Sequence, residues 1–202
     1  MILTSTFTTA LKFVAHAAAK KDIRNYLMGV LFEFKNGRLT LVATNGASVA
    51  FAAMDLNPAP TYDLSVIIDN ETVKQILKAF AGKKQSAVDF VITLAQGKDK
   101  PTMLTLDSAG IQITPKPIDG HYPDWRRVIP DPARTNSPCP FIDVALLGAA
   151  CVAMEPLVQS RPAQAITINV GSDKPTFIAI RPANIADPLI TDCGVVIGSI
   201  RD

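Results

Sequence analysis

The 202-residue chain is poor in the residue types that usually carry chemistry, with three cysteines, two histidines and a single tryptophan. Cys139, Cys151 and Cys193 are odd in number and widely spaced, with no CxxC and no neighbouring His, so neither a disulfide framework nor a zinc site is expected. All three are expected to be small buried hydrophobes. No stretch of about 18 apolar residues occurs, and the start MILTSTFTTALK has no basic leader, apolar h-region or small-residue cleavage site. A cytoplasmic location is the expectation. GxSxG, GxxxxGKS, GxGxxG and HExxH are all missing, and Asp and Glu stand mostly singly in strands and turns. No catalytic residue, metal or cofactor is therefore expected. Net charge is only +2, which gives no general attraction to nucleic acid and makes the placement of charges decisive.

Apolar residues make up 48% of the chain, enough for one large core or two small ones, and their pattern repeats. ILTSTF alternates like a strand, Thr8 or Thr9 can cap a helix ALKFVAHAAAKK, and YLMGVLFEFK, GRLTLVAT and ASVAFAAM read as strands, the first two joined by an Asn36-Gly37 hairpin. After the proline-rich NPAPTYD the order returns: strand LSVIID, Asp69 capping NETVKQILKAFAG, then AVDFVITLA, PTMLTLDS and GIQITPKPI. A second proline-rich stretch, PDPARTNSPCP, leads to a third pass, with PFI, a helix capped by Asp143, and the strands AQAITINV, PTFIAIRP and CGVVIGSI. The fold class is α+β, built from three βαβββ units.

Basic residues cluster on this frame. Lys12, His16 and Lys20 recur every fourth position on the first helix, with Lys21 and Arg24 just beyond, and Lys74 and Lys78 do the same on the second. Such stripes are ordinarily just the solvated side of an amphipathic helix. Here acids are scarce beside them: the first helix has none, and the second has only Glu71, at its N-terminus, where the helix dipole favours an acid. The third helix carries no basic residue.

The densest chemistry lies in DGHYPDWRRVIP, Asp119 to Pro130. Amphipathic rings, two arginines and an apolar end suit a peptide-docking surface, while a lone Trp beside a Pro also suits a plug over a sheet. Both readings stand on the sequence.

DIRNYLMGVLFE (22 to 33), LVATNGASVA (41 to 50), VIIDNETVKQILKAF (66 to 80), DGHYPDWRRVIP and the terminal VVIGSIRD (195 to 202) together resemble, in order, segments of the bacterial DNA polymerase III β subunit, the sliding clamp. The first four fall in the family's middle domain and the last in its C-terminal tail. The resemblance implies a DNA-clamp fold: a ring whose helices line the hole and whose sheets form the outer wall. Residues 1–130 would then be a complete clamp domain, with units 1–60 and 61–130, and 131–202 a half domain completed by another chain. Family members carry six units per chain and close as dimers, so three units per chain imply a homotetramer, with third-to-third and first-to-first contacts preserving the ring's alternation of interfaces.

The implied function is that of a replication processivity factor. Lys12, His16, Lys20, Lys21, Arg24, Lys74 and Lys78 would face the phosphates of double-stranded DNA without reading bases. A hydrophobic pocket of Leu27, Thr44, Gly46, Ala47, Val49, Pro123, Arg127, Val128, Val195, Ile197 and Ile200 would take clamp-binding motifs of a DNA polymerase and other replication or repair proteins, a clamp loader being a further candidate partner. Two departures bear on partner choice: the family's TDGHRLA reads TNGASVA here, and Gly198-Ser199 stands where the family carries Pro and an apolar residue. The alternatives are a clamp-derived adaptor that binds peptides without encircling DNA, and an enzyme whose basic stripes hold an anionic substrate.

Overall fold

A computed structural model describes residues 1–59, 63–82, 86–94, 101–129, 143–157, 166–170, 177–182 and 185–198. The expected strand at 140–142, together with Cys139 and Ile200, lies outside them. Strand β1 (Ile2–Leu3) leads into helix α1 (Thr4–Ala15), followed by β2 (Gly29–Lys35), β3 (Arg38–Thr44) and β4 (Ser48–Asp55). The second pass is β5 (Leu64–Asp69), α2 (Asn70–Ala79), β6 (Ala87–Leu94), β7 (Pro101–Ser108) and β8 (Ile111–Ile113). The third comprises α3 (Val144–Met154), β9 (Ile166–Val170), β10 (Phe177–Pro182) and β11 (Ile190–Gly198).

Local chemistry places several of these boundaries. Asp69 accepts hydrogen bonds from the amides of Glu71 and Thr72, both at 2.9 Å, and Asp143 accepts from Ala145 and Leu146, so α2 and α3 start at their expected caps. Asn36 and Gly37 both adopt positive φ, 51° and 78°, as a two-residue hairpin between twisted strands requires. Helix α1 departs from expectation at both ends. It begins at Thr4, because the Thr4 amide donates to the Ser86 carbonyl at 2.8 Å and its hydroxyl is held by Ser86 and Ser108, a long-range anchor in place of a local cap. Thr8 instead bonds back to the Thr4 carbonyl at 2.7 Å, inside the helix. At the other end His16 is the C-cap, and the Ala19 amide donates to the Leu27 carbonyl at 2.9 Å, turning the chain away. The start of YLMGVLFEFK forms a 3-10 turn, Asn25–Met28, rather than strand, and GIQITPKPI is a strand only over Ile111–Ile113.

Among the described residues the strands form two antiparallel sheets, ordered β1-β6-β7-β8 and β5-β2-β3-β4-β11-β10-β9. The first two passes exchange their leading strands. β1 pairs with β6 of the second pass, and β5 pairs with β2 of the first, from Gly29 opposite Asp69 to Phe34 opposite Leu64. The third pass attaches through β11 to β4. First-to-first contact between chains is thereby ruled out at this edge, since the outer edge of β4 is already hydrogen-bonded within the chain.

Strand alternation sorts the seven-stranded sheet into two faces. Val30, Phe32, Phe34, Leu39, Leu41, Ala43, Ala50, Ala52 and Met54 join the three helices in the main core, while Leu31, Val42, Val49 and Phe51 point the other way, under Tyr122 and Trp125. Phe7 of α1 ties the exchanged passes together, its ring 6.0 Å from Phe32, 6.5 Å from Phe80 and 5.4 Å from Phe90, in edge-on and tilted arrangements.

Gly29 marks where β2 meets β5 most closely: a Cβ there would lie 2.6 Å from the backbone oxygen of Ile68. Gly29→Ala is expected to cost about 1 to 3 kcal/mol by forcing the exchanged strand outward. Urea unfolding should show this as a lower midpoint at unchanged slope.

Candidate nucleic-acid interface and peptide-docking face

The helix layer and the Tyr122–Trp125 layer cover opposite faces of the seven-stranded sheet. The two candidate sites therefore cannot merge.

On the helix side, Lys12 is exposed in the last turn of α1, and Lys74 and Lys78 are exposed on α2, which packs against α1. Lys74 reaches Glu71 at 2.6 Å, an exposed pair that salt and solvent weaken. Lys20 and Lys21 are exposed, but beyond the end of α1, so the expected four-residue stripe stops at His16. The Asn70 side chain donates to the Ala19 carbonyl at 2.9 Å and brings this turn to the start of α2. Lysines from both helices thus share one layer without sharing one helical stripe.

His16 and Arg24 differ from the expectation. His16 is half-buried, its Nδ1 hydrogen-bonded to the Phe13 carbonyl, and burial outweighs that bond to lower its pKa from 6.5. Burial thus favours the neutral ring over the phosphate-facing cation expected from the sequence. Arg24 is gripped by Asp22 through Nε at 3.0 Å and Nη2 at 2.9 Å, and this hydrogen bonding, with one from the Arg24 amide, holds the Asp22 carboxyl at about 2. A Cβ on Gly46 would sit 3.3 Å from Arg24 Nη2, so Arg24 stands beside the β3–β4 turn and not with the helix lysines.

That turn is the TNGAS segment. Asn45 Oδ1 accepts from the amides of Ala47 and Ser48, both at 2.9 Å, Thr44 Oγ1 donates to the Ser48 carbonyl at 2.7 Å, and Gly46 takes φ +91°. Gly46 and Ala47 are exposed at its tip, and Val49, just beyond it, is opposite Val196 on β11. Pro123 and Arg127 are exposed and Val128 packs against the outer cluster, while Leu27 and Thr44 are buried. The tail needs correction. Val195 and Ile197 belong to the helix-side core, so the β11 residue on the outer face, beside Val49 and Phe51, is Val196, which the sequence pattern did not single out.

Trp125 lies against Phe51 at 5.3 Å, and Arg126 stacks over the indole at 4.2 Å while pairing with Glu33. It is a plug on the sheet. Its buried Nε1 has no acceptor among the described residues, and the Tyr122 hydroxyl, whose pKa burial raises, donates to the Val42 carbonyl at 3.4 Å. A cavity of about 400 Å³ lies beside this plug, between Leu31, Ile67 and the 120–126 segment, and of the expected pocket residues only Pro123 lines it. On the helix side a cleft of about 560 Å³ separates α1 from α3, with Lys12, Phe13 and His16 facing Gly148, Ala149 and Val152.

Cys193 is buried, with burial first and Asp192 second pushing its thiol up to about 12, whereas Cys151 is exposed on α3, against expectation. Among the described residues no group of three or more His, Cys, Asp or Glu could hold a metal ion, and no helix is long and apolar enough to cross a membrane.

Residues 1–124 match the family model described as DNA polymerase III beta subunit, central domain. The beta sliding clamp of Proteus mirabilis is 33% identical over 140 residues, 68% of this chain and 36% of that protein. That of Escherichia coli K12 is 30% identical over 120 residues, 55% of this chain and 28% of that protein. This chain therefore spans about a third of the length of these relatives. Among solved structures, the DNA polymerase sliding clamp of Pseudomonas aeruginosa superposes with TM-score 0.74 at 18% identity, over 100% of this chain and 66% of that one. The DNA polymerase III β subunit of Thermotoga maritima gives 0.72 at 15% identity, over 100% and 65%. The fold is clamp-like, helices alternating with antiparallel sheets over about one and a half domains by coverage.

The His16 assignment has a pH signature. Because protonation is disfavoured in the folded chain, its contribution to stability is complete above about pH 6.5 and is lost as pH falls through the lower folded value. A histidine NMR titration should place the His16 midpoint below 6.5, and a midpoint at or above it would refute a desolvated ring.

Proposed function

The chain belongs to the bacterial DNA polymerase III β-subunit family, and from that premise we propose that it works as a sliding clamp, a processivity factor that encloses duplex DNA and tethers a polymerase or other replication and repair proteins. The observation that carries this reading is the division of labour across one sheet. Exposed lysines occupy the helix layer, with no acid in α1 to oppose them, while an apolar docking face lies on the other side. A protein that must slide on DNA while holding a partner needs the two contacts on opposite faces.

In this reading the helices line the hole and Lys12, Lys20, Lys21, Lys74 and Lys78 face phosphates, giving weak, salt-sensitive contacts without base readout. Arg24, held by Asp22 beside Gly46, serves the docking face instead. That face takes a short apolar peptide between the β3–β4 turn and the 123–128 segment, around Gly46, Ala47, Val49, Pro123, Arg127, Val128 and Val196, and each buried Leu or Phe anchor is worth roughly 1.5 to 3 kcal/mol. Ala47 and Ser48 shorten the rim where the family has His and Arg, which favours a bulkier or less acidic motif. The ring is a homotetramer: residues 1–130 supply a complete clamp domain, supported by the exchange of β1 and β5, and 131–202 supply a half domain completed by another chain.

The test separates the two faces. A Lys12→Glu, Lys20→Glu, Lys74→Glu and Lys78→Glu variant should lose retention on circular DNA by roughly tenfold or more and keep its native mass. Retention on circular DNA that survives linearisation would rule out enclosure. Ala47→Glu with Arg127→Glu, at exposed positions, should abolish capture of a clamp-binding peptide and leave DNA retention unchanged. Peptide capture by a particle that never retains circular DNA would identify an adaptor.

A further inference from the structure

The first two passes show how one unit of this chain closes another. Each sends its leading strand to the other's sheet, β5 onto β2 and β1 onto β6, so the strand that follows each helix is covered by a strand from the other unit. Helices α1 and α2 then pack side by side over the join. The third pass has half of this arrangement. β11 is joined to β4, but β9, which follows α3 as β2 follows α1, pairs only with β10 among the described residues and ends the sheet.

Helix α3 is open on the same side. Its sequence, VALLGAACVAM, has no charged residue and is apolar all round, the pattern of a helix covered on every side. Yet only Ala150 and Met154 are buried, and Val144 and Val152 are 81% and 71% exposed. Gly148, Ala149, Val152 and Ala153 line the cleft toward α1. Val144 and Cys151, seven positions apart, lie exposed on the flank turned away from that cleft, and Leu147 between them is only partly buried where it meets the main core.

We infer that this flank of α3, with the edge of β9 that ends the sheet among the described residues, is a self-complementary interface that takes the same surface of a second copy of this chain. The choice of occupant follows from two features. A two-fold contact sets one surface against itself, residue i meeting j and j meeting i, so it suits a flank that is apolar and carries no charge needing a partner of opposite sign. The chain also closes its first two units with each other, so a third unit of the same construction is a template for one more. The proposal rests on the ring reading and specifies it: both ends of the chain's arc, β9 at one and β8 at the other, meet their own kind, and four chains close by two alternating two-fold contacts. β8 replaces the first-unit edge that β4 and β11 use up.

The experiment uses the full chain at micromolar concentration. A short bismaleimide should join two chains through Cys151, a product that Cys151→Ser abolishes and Cys139→Ser leaves. Val144→Glu, at an exposed position where a charge does not disturb the monomer's core, should reduce the sedimentation mass to half of native with an unchanged far-UV spectrum. A native monomer would overturn the proposal, as would unchanged mass and cross-linking in Val144→Glu, or a Cys151 shielded only when a partner peptide is added. If the α3 contact fails while circular DNA is still retained, the contact is wrong and the clamp reading stands. If the contact holds and retention is absent, the clamp reading is wrong.

Discussion

Exchange of leading strands is the constraint from which the rest of the molecule follows. β5 completes the sheet of the unit before it and β1 the sheet of the unit after it, so neither of the first two units has a finished sheet alone. Phe7 sits at the join among Phe32, Phe80 and Phe90, rings drawn from both passes. Even the start of α1 depends on the other unit, through the Ser86 carbonyl and Ser108 hydroxyl at Thr4. Such a pair folds as one cooperative body, and its contacts are long-range, which places it among slower-folding topologies.

The same constraint separates the two working surfaces. With helices on one face of the seven-stranded sheet, the chain leaving β8 must run along the other, where the Ile118 amide donates to the Ile67 carbonyl at 2.9 Å. Tyr122 and Trp125 are then laid over Val42 and Phe51, and Arg126, stacked on the indole and paired with Glu33, fixes the connector. Trp125 is a plug, and the proposed docking face begins at its margin. Asp22 does the corresponding work for charge: by pairing with Arg24 it removes from the helix layer the one arginine that the sequence placed there.

Features governed by near neighbours were legible in the sequence. Asp69 and Asp143 cap helices because a carboxylate two and three residues ahead of free amides has nowhere better to bind, and Asn36-Gly37 turns because both residues accept positive φ. The three-fold pattern was legible as well, since periods of two and of 3.6 mark strands and helices. Features set by distant residues were hidden. The start of α1 is fixed by Ser86, and its end by the Leu27 carbonyl, which is why Lys20 leaves the stripe. The tail was misjudged by one residue, and in a strand one residue is the whole difference between faces: Val196 looks outward while Val195 and Ile197 look in. Pairing with Val49 settles that choice, and the pairing partner lies about 150 positions away.

Net charge bears on why the proposed function is enclosure and not adhesion. With a formal +2 per 202 residues, and with Arg24 and Lys74 already paired, few cations remain for phosphates. Each neutralised phosphate adds a counterion-release term that salt erodes, so a handful of lysines cannot hold DNA alone at physiological ionic strength. Weak contact is an asset once escape is blocked by topology, because a strongly bound ring would not slide. The uncharged α3 fits the proposed balance: a helix without lysine adds nothing to a grip on phosphate, and its apolar flank is the surface proposed to close the ring. In the proposed ring, strength would be placed in the contacts between chains and withheld from the contact with DNA.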